Sequence, residues 1–157
     1  MLGPINVSAV RQQHSRFLHG VATVIDDAAN AGAAFGERYQ GHHWKAPTGK
    51  LEQATKARVI RTRQGNRIIL SNNSPYAHAQ EYGSGLHASR GNRGKYPIVP
   101  RRASALRWVS GGQVHFSKRV MHPGVRATRF LFLKTEAAAA HQYNILRGRL
   151  DALVARS

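Results

Sequence analysis

The sequence contains no cysteine, only seven Asp and Glu residues among 157, and no long apolar run. Without cysteine there is no disulfide scaffold, no thiolate zinc site and no cysteine nucleophile. No window approaches the ~18 consecutive apolar residues of a membrane-spanning helix, so no membrane partner is expected. The first residues, MLGPINVSAVRQQ, lack a charged region followed by an apolar core, and no signal peptide is read there. Against the seven acids stand 24 Lys and Arg, for a formal net charge of +17. Apolar residues make up 41% of the chain, which fits a globular protein better than a disordered basic tail. The length suits a single domain over residues 1–157.

The charge is uneven. Between Glu81 and Glu136 there is no acid, while Arg90, Arg93, Lys95, Arg101, Arg102, Arg107, Lys118, Arg119, Arg126, Arg129 and Lys134 all lie there. No ion pair within that segment can offset it. Such a segment is either a solvated basic face or a surface for phosphate or for an acidic protein.

Periodicity supplies the elements. Val10, Phe17, Val21, Val24, Ile25 and Ala28 recur at helical spacing, which predicts a helix over about 8–39 with Ser8 as N-cap. Gly32 and Gly36 weaken its far end. Residues 41–49 have loop chemistry, and a short helix is expected over 51–57. Two strands, 58–63 and 67–70, flank a turn at Gln64-Gly-Asn66. Ser74 and Pro75 open a two-turn helix that stops at Gly83 and Gly85. Residues 86–100 read as a flexible basic loop. The clearest hairpin is 105–110, Gly111-Gly112, 113–120, with alternating Leu106, Trp108, Val114 and Phe116. A final helix over about 129–154 carries Phe130, Leu133, Ala137, Ile145, Leu146, Leu150 and Leu153 on its apolar side. The fold class read from this order is α+β. An antiparallel sheet of about four strands, from two hairpins within 58–120, has the long N- and C-terminal helices on one face. An open opposite face would invite a neighbouring copy.

Chemistry is sparse. His42-His43 is a poor metal pair, because adjacent imidazoles seldom reach one ion and zinc wants three or four ligands. The spacing of His115, His122 and His141 demands no shared site. Glu81 sits in a dense motif without an evident partner base, and Asp26 and Asp27 point to different sides of a helix. The glycines at 83, 85, 91 and 94 lack the Lys and Ser/Thr of a phosphate-cradling loop. No enzyme, no cofactor and no metal are expected. The stretch Arg90-Gly-Asn-Arg-Gly-Lys95 with Tyr96, and Arg101 and Arg102 after it, offers contacts to phosphate or to an acidic partner without a base-reading motif.

A resemblance emerges at Tyr76-Ala77-His-Ala-Gln-Glu81-Tyr82-Gly83-Ser-Gly85. It continues through Pro100, Ala105-Leu106-Arg-Trp108, Gly111-Gly112-Gln-Val-His-Phe116, Val120-Met-His122-Pro123-Gly124 and Phe130-Leu131, with a weaker upstream match at Thr48-Gly-Lys-Leu51. This series resembles the tail-component family of tailed bacteriophages, the gene-ten-like tail-completion or neck proteins, over roughly residues 47–140. The resemblance implies a non-enzymatic structural protein of the virion neck, made in the host bacterial cytoplasm. It implies a ring, commonly of six copies, that completes the tail top or joins the tail to the head. Its partners would be further copies, the head connector or adaptor, and the tail terminator or tail tube, with non-specific contact to the phage DNA. Ser84 stands where the family has Thr. Arg129 stands where Pro precedes Phe-Leu, which implies a different lead into the last helix. Glu81 would hold a turn or pair with an Arg of the next copy. Trp108 and Phe116 are expected in the sheet core. Six copies would gather about 102 formal positive charges, which favours acidic neighbours or DNA. The competing expectations are a sequence-independent nucleic-acid-binding protein and, further off, a metal-dependent hydrolase.

Overall fold

The computed structural model describes residues 7–40, 49–91 and 93–156. His42, His43 and Thr48 lie outside them. In chain order the elements are α1 (Val7–Arg38), α2 (Lys50–Gln53), β1 (Thr55–Thr62), β2 (Gly65–Asn72), α3 (Ala77–Tyr82), a 3-10 turn (Gly85–His87), β3 (Tyr96–Ile98), β4 (Leu106–Ser110), β5 (Gln113–Ser117), β6 (Val120–His122) and α4 (Phe130–Val154). The fold is α+β, with long first and last helices, antiparallel hairpins between them, and helices packed on sheet.

The strand arrangement differs in detail from a single shared sheet. Three separate antiparallel pairs form: β1 with β2, β4 with β5, and β3 with β6. The last pair was not expected. It places one strand inside the 86–100 stretch and turns the supposed end of the second hairpin, Val120–His122, into a strand of its own. Three-residue strands joined across more than twenty positions leave no alternation to read. The first turn also shifts, with Arg63 and Gln64 between Thr62 and its register partner Gly65. The short helix ends at Gln53, so Ala57 belongs to β1.

The chain forms two compact units, residues 1–73 with 131–157, and residues 74–130. In the first, α1 is the central element. Its buried residues are Ala28, Ala29, Gly32, Ala33 and Gly36. A Cβ on Gly32 would stand 2.8 Å from the Gln142 Cβ and 3.0 Å from Ile68 Cδ1. One on Gly36 would stand 2.7 Å from the Ala138 Cβ and 3.2 Å from Leu70 Cδ2. The glycines therefore let α1 approach both α4 and the inner side of β2. Close packing more than offsets their poor helix propensity, about 1 kcal/mol each. Instead of weakening the helix end, they fix it. The pairings Gly20 with Leu153, Asp27 with Arg149, and Gly36 with Ala138 run in opposite directions, so α1 and α4 are antiparallel.

Two stripe expectations fail at their outer members. Val10 lies in the first part of α1, where every residue from Val7 to Arg16 is exposed. On α4, Leu133 is exposed while Phe130, Lys134 and Ala138 form the buried line. At the base of β1, buried Thr55 donates to Leu51 O at 3.0 Å, and Asn72 Nδ2 donates to both Leu51 O and Thr55 Oγ1.

Candidate functional site

In the unit of residues 74–130, two motif elements some forty positions apart are hydrogen-bonded to each other. α3 ends at Gly83 (φ 76°), and the chain then runs alongside the His122-Pro123-Gly124 turn. Ser84 N donates to Val125 O at 2.8 Å, Leu86 N to Pro123 O at 2.7 Å, and Val125 N to Ser84 Oγ at 3.0 Å. Thr128 adds two donors, N and Oγ1, both to Gln80 O. The turn itself is fixed by Gly124 N donating to His122 Nδ1 at 2.9 Å. His122 is thus a turn-holding acceptor, with its ring tilted against Tyr96.

This clasp explains its glycines. Gly85 (φ 60°) and Gly124 (φ 102°) face each other so closely that a Cβ on either would collide with the backbone of the other segment. It also gives Ser84 a role, because its hydroxyl is the acceptor that a Thr would supply in the same way. Arg129 takes φ 52° directly before α4. A proline ring, locked near −65°, cannot adopt that backbone.

The β4–β5 hairpin corrects a second expectation. Its turn glycines, Gly111 and Gly112, both have positive φ, as a primed turn requires. Trp108 and Phe116, however, are not core residues. Trp108 is 40% exposed and stacks on its cross-strand partner His115 at 5.4 Å, while Phe116 is 67% exposed. Register puts Leu106, Trp108 and His115 on one face and Arg107, Val109, Val114 and Phe116 on the other. Alternation signals a strand with one face to be covered, and here the alternating apolar positions of the two strands fall on opposite faces, both of them exposed.

The structure places the remaining site residues as follows. Tyr76 precedes α3 and is exposed, Ala77 opens the helix, Glu81 and Tyr82 close it, and Leu131 follows buried Phe130 in α4. Arg90 lies over the Tyr82 ring at 5.7 Å. Arg90, Arg93, Lys95, Arg101 and Arg102 are all exposed. The unit of residues 74–130 holds ten cations and one carboxylate, Glu81, a formal +9.

Lys134 does not belong to that basic surface. It is 2% exposed, and its Nζ donates to Glu37 O at 2.9 Å and Tyr39 O at 2.5 Å. It caps the C-terminal carbonyls of α1, where a cation also meets the negative end of the helix dipole. Burial pushes its ammonium below the ordinary lysine range, opposed by the charges of Glu52 and Glu37. Among the described residues no group of three or more His, Asp or Glu is placed to hold a metal, and no helix is long and apolar enough to cross a membrane.

No family model, curated protein or solved structure matches this chain.

Sequence reasoning also missed the use made of the acids. Asp26 accepts from Asn66 Nδ2 and pairs with Arg61, both at 2.8 Å. Asp27 pairs with Arg149 of α4. Glu37 accepts from the Ala57 backbone N–H at 2.8 Å and pairs with Lys56 at 3.3 Å. The Ala57 hydrogen bond, then Lys56, hold the Glu37 carboxyl below its ordinary range. Asn66, then Arg61, do the same for Asp26. Carboxyls with lowered native pKa values contribute stability that is complete above their unfolded values and lost as pH falls through the native ones. Urea midpoints should therefore fall as pH drops from about 5 towards 3, and the Asp26→Asn/Glu37→Gln double variant should show a flatter profile. Parallel profiles would contradict the assignment.

Proposed function

We propose that this chain is a non-enzymatic structural subunit of a tailed-phage virion, assembling into a ring at the neck that completes the tail top or joins it to the head. The observation that carries this reading is the β4–β5 hairpin. An isolated two-stranded hairpin is marginal in water. This one exposes apolar side chains on both faces, with Phe116 67% accessible on one and Trp108 40% on the other. It also leaves the outer edges of both strands unpaired among the described residues. Such a surface calls for another polypeptide. The Glu-Tyr-Gly-Ser-Gly and His-Pro-Gly elements that resemble the tail-component family are also the ones that clasp each other, which supports their being parts of one structural motif.

A second reading, sequence-independent nucleic-acid binding through the basic segment, is favoured by the formal +9 of residues 74–130. The two are compatible where DNA crosses a neck.

The mass of the purified protein tests the first reading. The wild-type chain should give a closed oligomer, favoured by added salt that screens like charges. Phe116→Asp should shift it to monomer while its circular dichroism is retained. A wild-type chain that stays monomeric up to high concentration, and is missing from images of virion necks, would sink the proposal.

A further inference from the structure

We propose that the outer face of the β1–β2 hairpin is a binding surface for the phosphate backbone of duplex nucleic acid, separate from the basic segment of residues 82–135. The proposal does not rest on the ring reading.

The register divides this hairpin cleanly. Arg61 and Asn66 meet Asp26 of α1, and Ile68 and Leu70 meet its glycines, so that side is inner. The alternate positions, Lys56, Arg58, Ile60, Ile69 and Arg67, turn to the outer face, and Arg63 sits at the tip. Arg58 stands opposite Ile69 and Ile60 opposite Arg67, so the two arginines occupy diagonal positions of one face, with their backbones about 7–8 Å apart. From Lys56 to Thr62 the strand covers roughly 20 Å at about 3.3 Å per residue. That is the axial length of about six base pairs of duplex.

The acids make this face unusual. The carboxylates of α1 that reach the hairpin are spent on its inner side and its edge: Asp26 on Arg61 and Asn66, and Glu37 on the Ala57 N–H and Lys56. Among the described residues, Arg58, Arg63 and Arg67 have no carboxylate within ion-pair distance, and all three are exposed. Like charges on one small face repel one another, and an external polyanion relieves that. Arginine's planar fork suits phosphate oxygens in particular. The positions of this face hold no aromatic side chain, the commonest anchor of a protein–protein interface. Contacts of this kind go to phosphates and hold no sequence information.

Fluorescence anisotropy with a labelled 20-base-pair duplex, from 50 to 300 mM salt, tests the site. Wild-type affinity should fall steeply with salt and should not depend on duplex sequence. Arg58→Gln/Arg67→Gln, on exposed strand positions, should reduce the log–log salt slope by about 1.8. The loss of affinity relative to wild type should then be about tenfold greater at 50 mM than at 200 mM salt. Arg58→Lys/Arg67→Lys should keep most of the slope, which separates lost charge from lost fold. The Gln variant should retain the oligomeric mass of wild type, whatever that mass is, so the ring reading stands or falls independently. A salt-independent affinity, an unchanged slope in the Gln variant, tenfold discrimination between duplex sequences, or equal binding of polyglutamate in place of DNA would each overturn the proposal.

Discussion

Replacing Gly124 with alanine is expected to destabilise the unit of residues 74–130 by roughly 4 kcal/mol, as the sum of two costs. The first is backbone strain. Gly124 has φ 102°, outside the regions open to a residue with a Cβ, and such conformations cost about 1–3 kcal/mol. The second is collision, because the new methyl would overlap the Ser84 carbonyl and approach Gly85 Cα at 2.8 Å. Both atoms are backbone, so no side chain can rotate away, and overpacking of this kind costs a further 1–3 kcal/mol or so. Relief by opening the clasp would break Ser84 N to Val125 O and Leu86 N to Pro123 O. Hydrogen exchange locates the damage. The amides of Ser84, Leu86, Val125 and Thr128 should lose protection, while those of the β1–β2 ladder keep theirs. Gly111→Ala is the internal comparison, since it also has positive φ (58°) but nothing within 4 Å of an added Cβ. It should cost only the strain. Equal losses in the two variants would show that the clasp's close approach contributes nothing.

How much of this was readable from the sequence varies with the physics of each element. The two long helices follow from apolar spacing, and the 106–117 hairpin from alternation around Gly-Gly. Both signals are local, and the elements are where they were expected to within a few residues. The clasp was half legible. Gly83, Gly85 and His122-Pro123-Gly124 marked two special backbones, but nothing local says that one binds the other. The β3–β6 pair was hidden for the same reason. Gly32 and Gly36 were misread because propensity describes an isolated helix, whereas here packing against Ala138, Ile68 and Leu70 decides. Trp108 and Phe116 were misread because alternation says that a face wants cover, not that this chain covers it. The outer β1–β2 face was masked by counting. The excess charge of the sequence lies in residues 82–135, and only the register shows Lys56, Arg58 and Arg67 gathered on one side of a hairpin, with Arg63 at its tip and Asp26 on the other side.

Lys134 is the sharpest of these cases, and Lys134→Met is expected to lower stability by about 2–4 kcal/mol. In sequence it is one more cation in a basic segment. It falls four residues after Phe130 and four before Ala138, however, and all three are buried on one line of α4. Methionine keeps the length and apolar stem but removes the ammonium that donates to Glu37 O and Tyr39 O. Two carbonyls at the end of α1 then lose their donor, at about 1–3 kcal/mol for each that water cannot reach. Against this, methionine abolishes the cost of burying a charge, the main cause of the lowered lysine pKa. The carbonyl loss outweighs that gain because the native site already offsets part of the burial through Glu37 and Glu52. Lys134→Ala should be worse, since it adds a cavity to the same losses. The pH dependence identifies the mechanism. A lysine with a lowered native pKa contributes stability that is complete above its ordinary value of 10.5 and lost as pH falls through the native value. The gap between wild type and Lys134→Met should therefore widen as pH rises towards 10.5, where the neutral amine still donates to both carbonyls but no longer bears the burial cost. Urea denaturation of the two proteins at pH 7 and at pH 10 measures it. A gap that narrows at pH 10 would mean that the ammonium charge, not its hydrogen bonds, is what holds the end of α1.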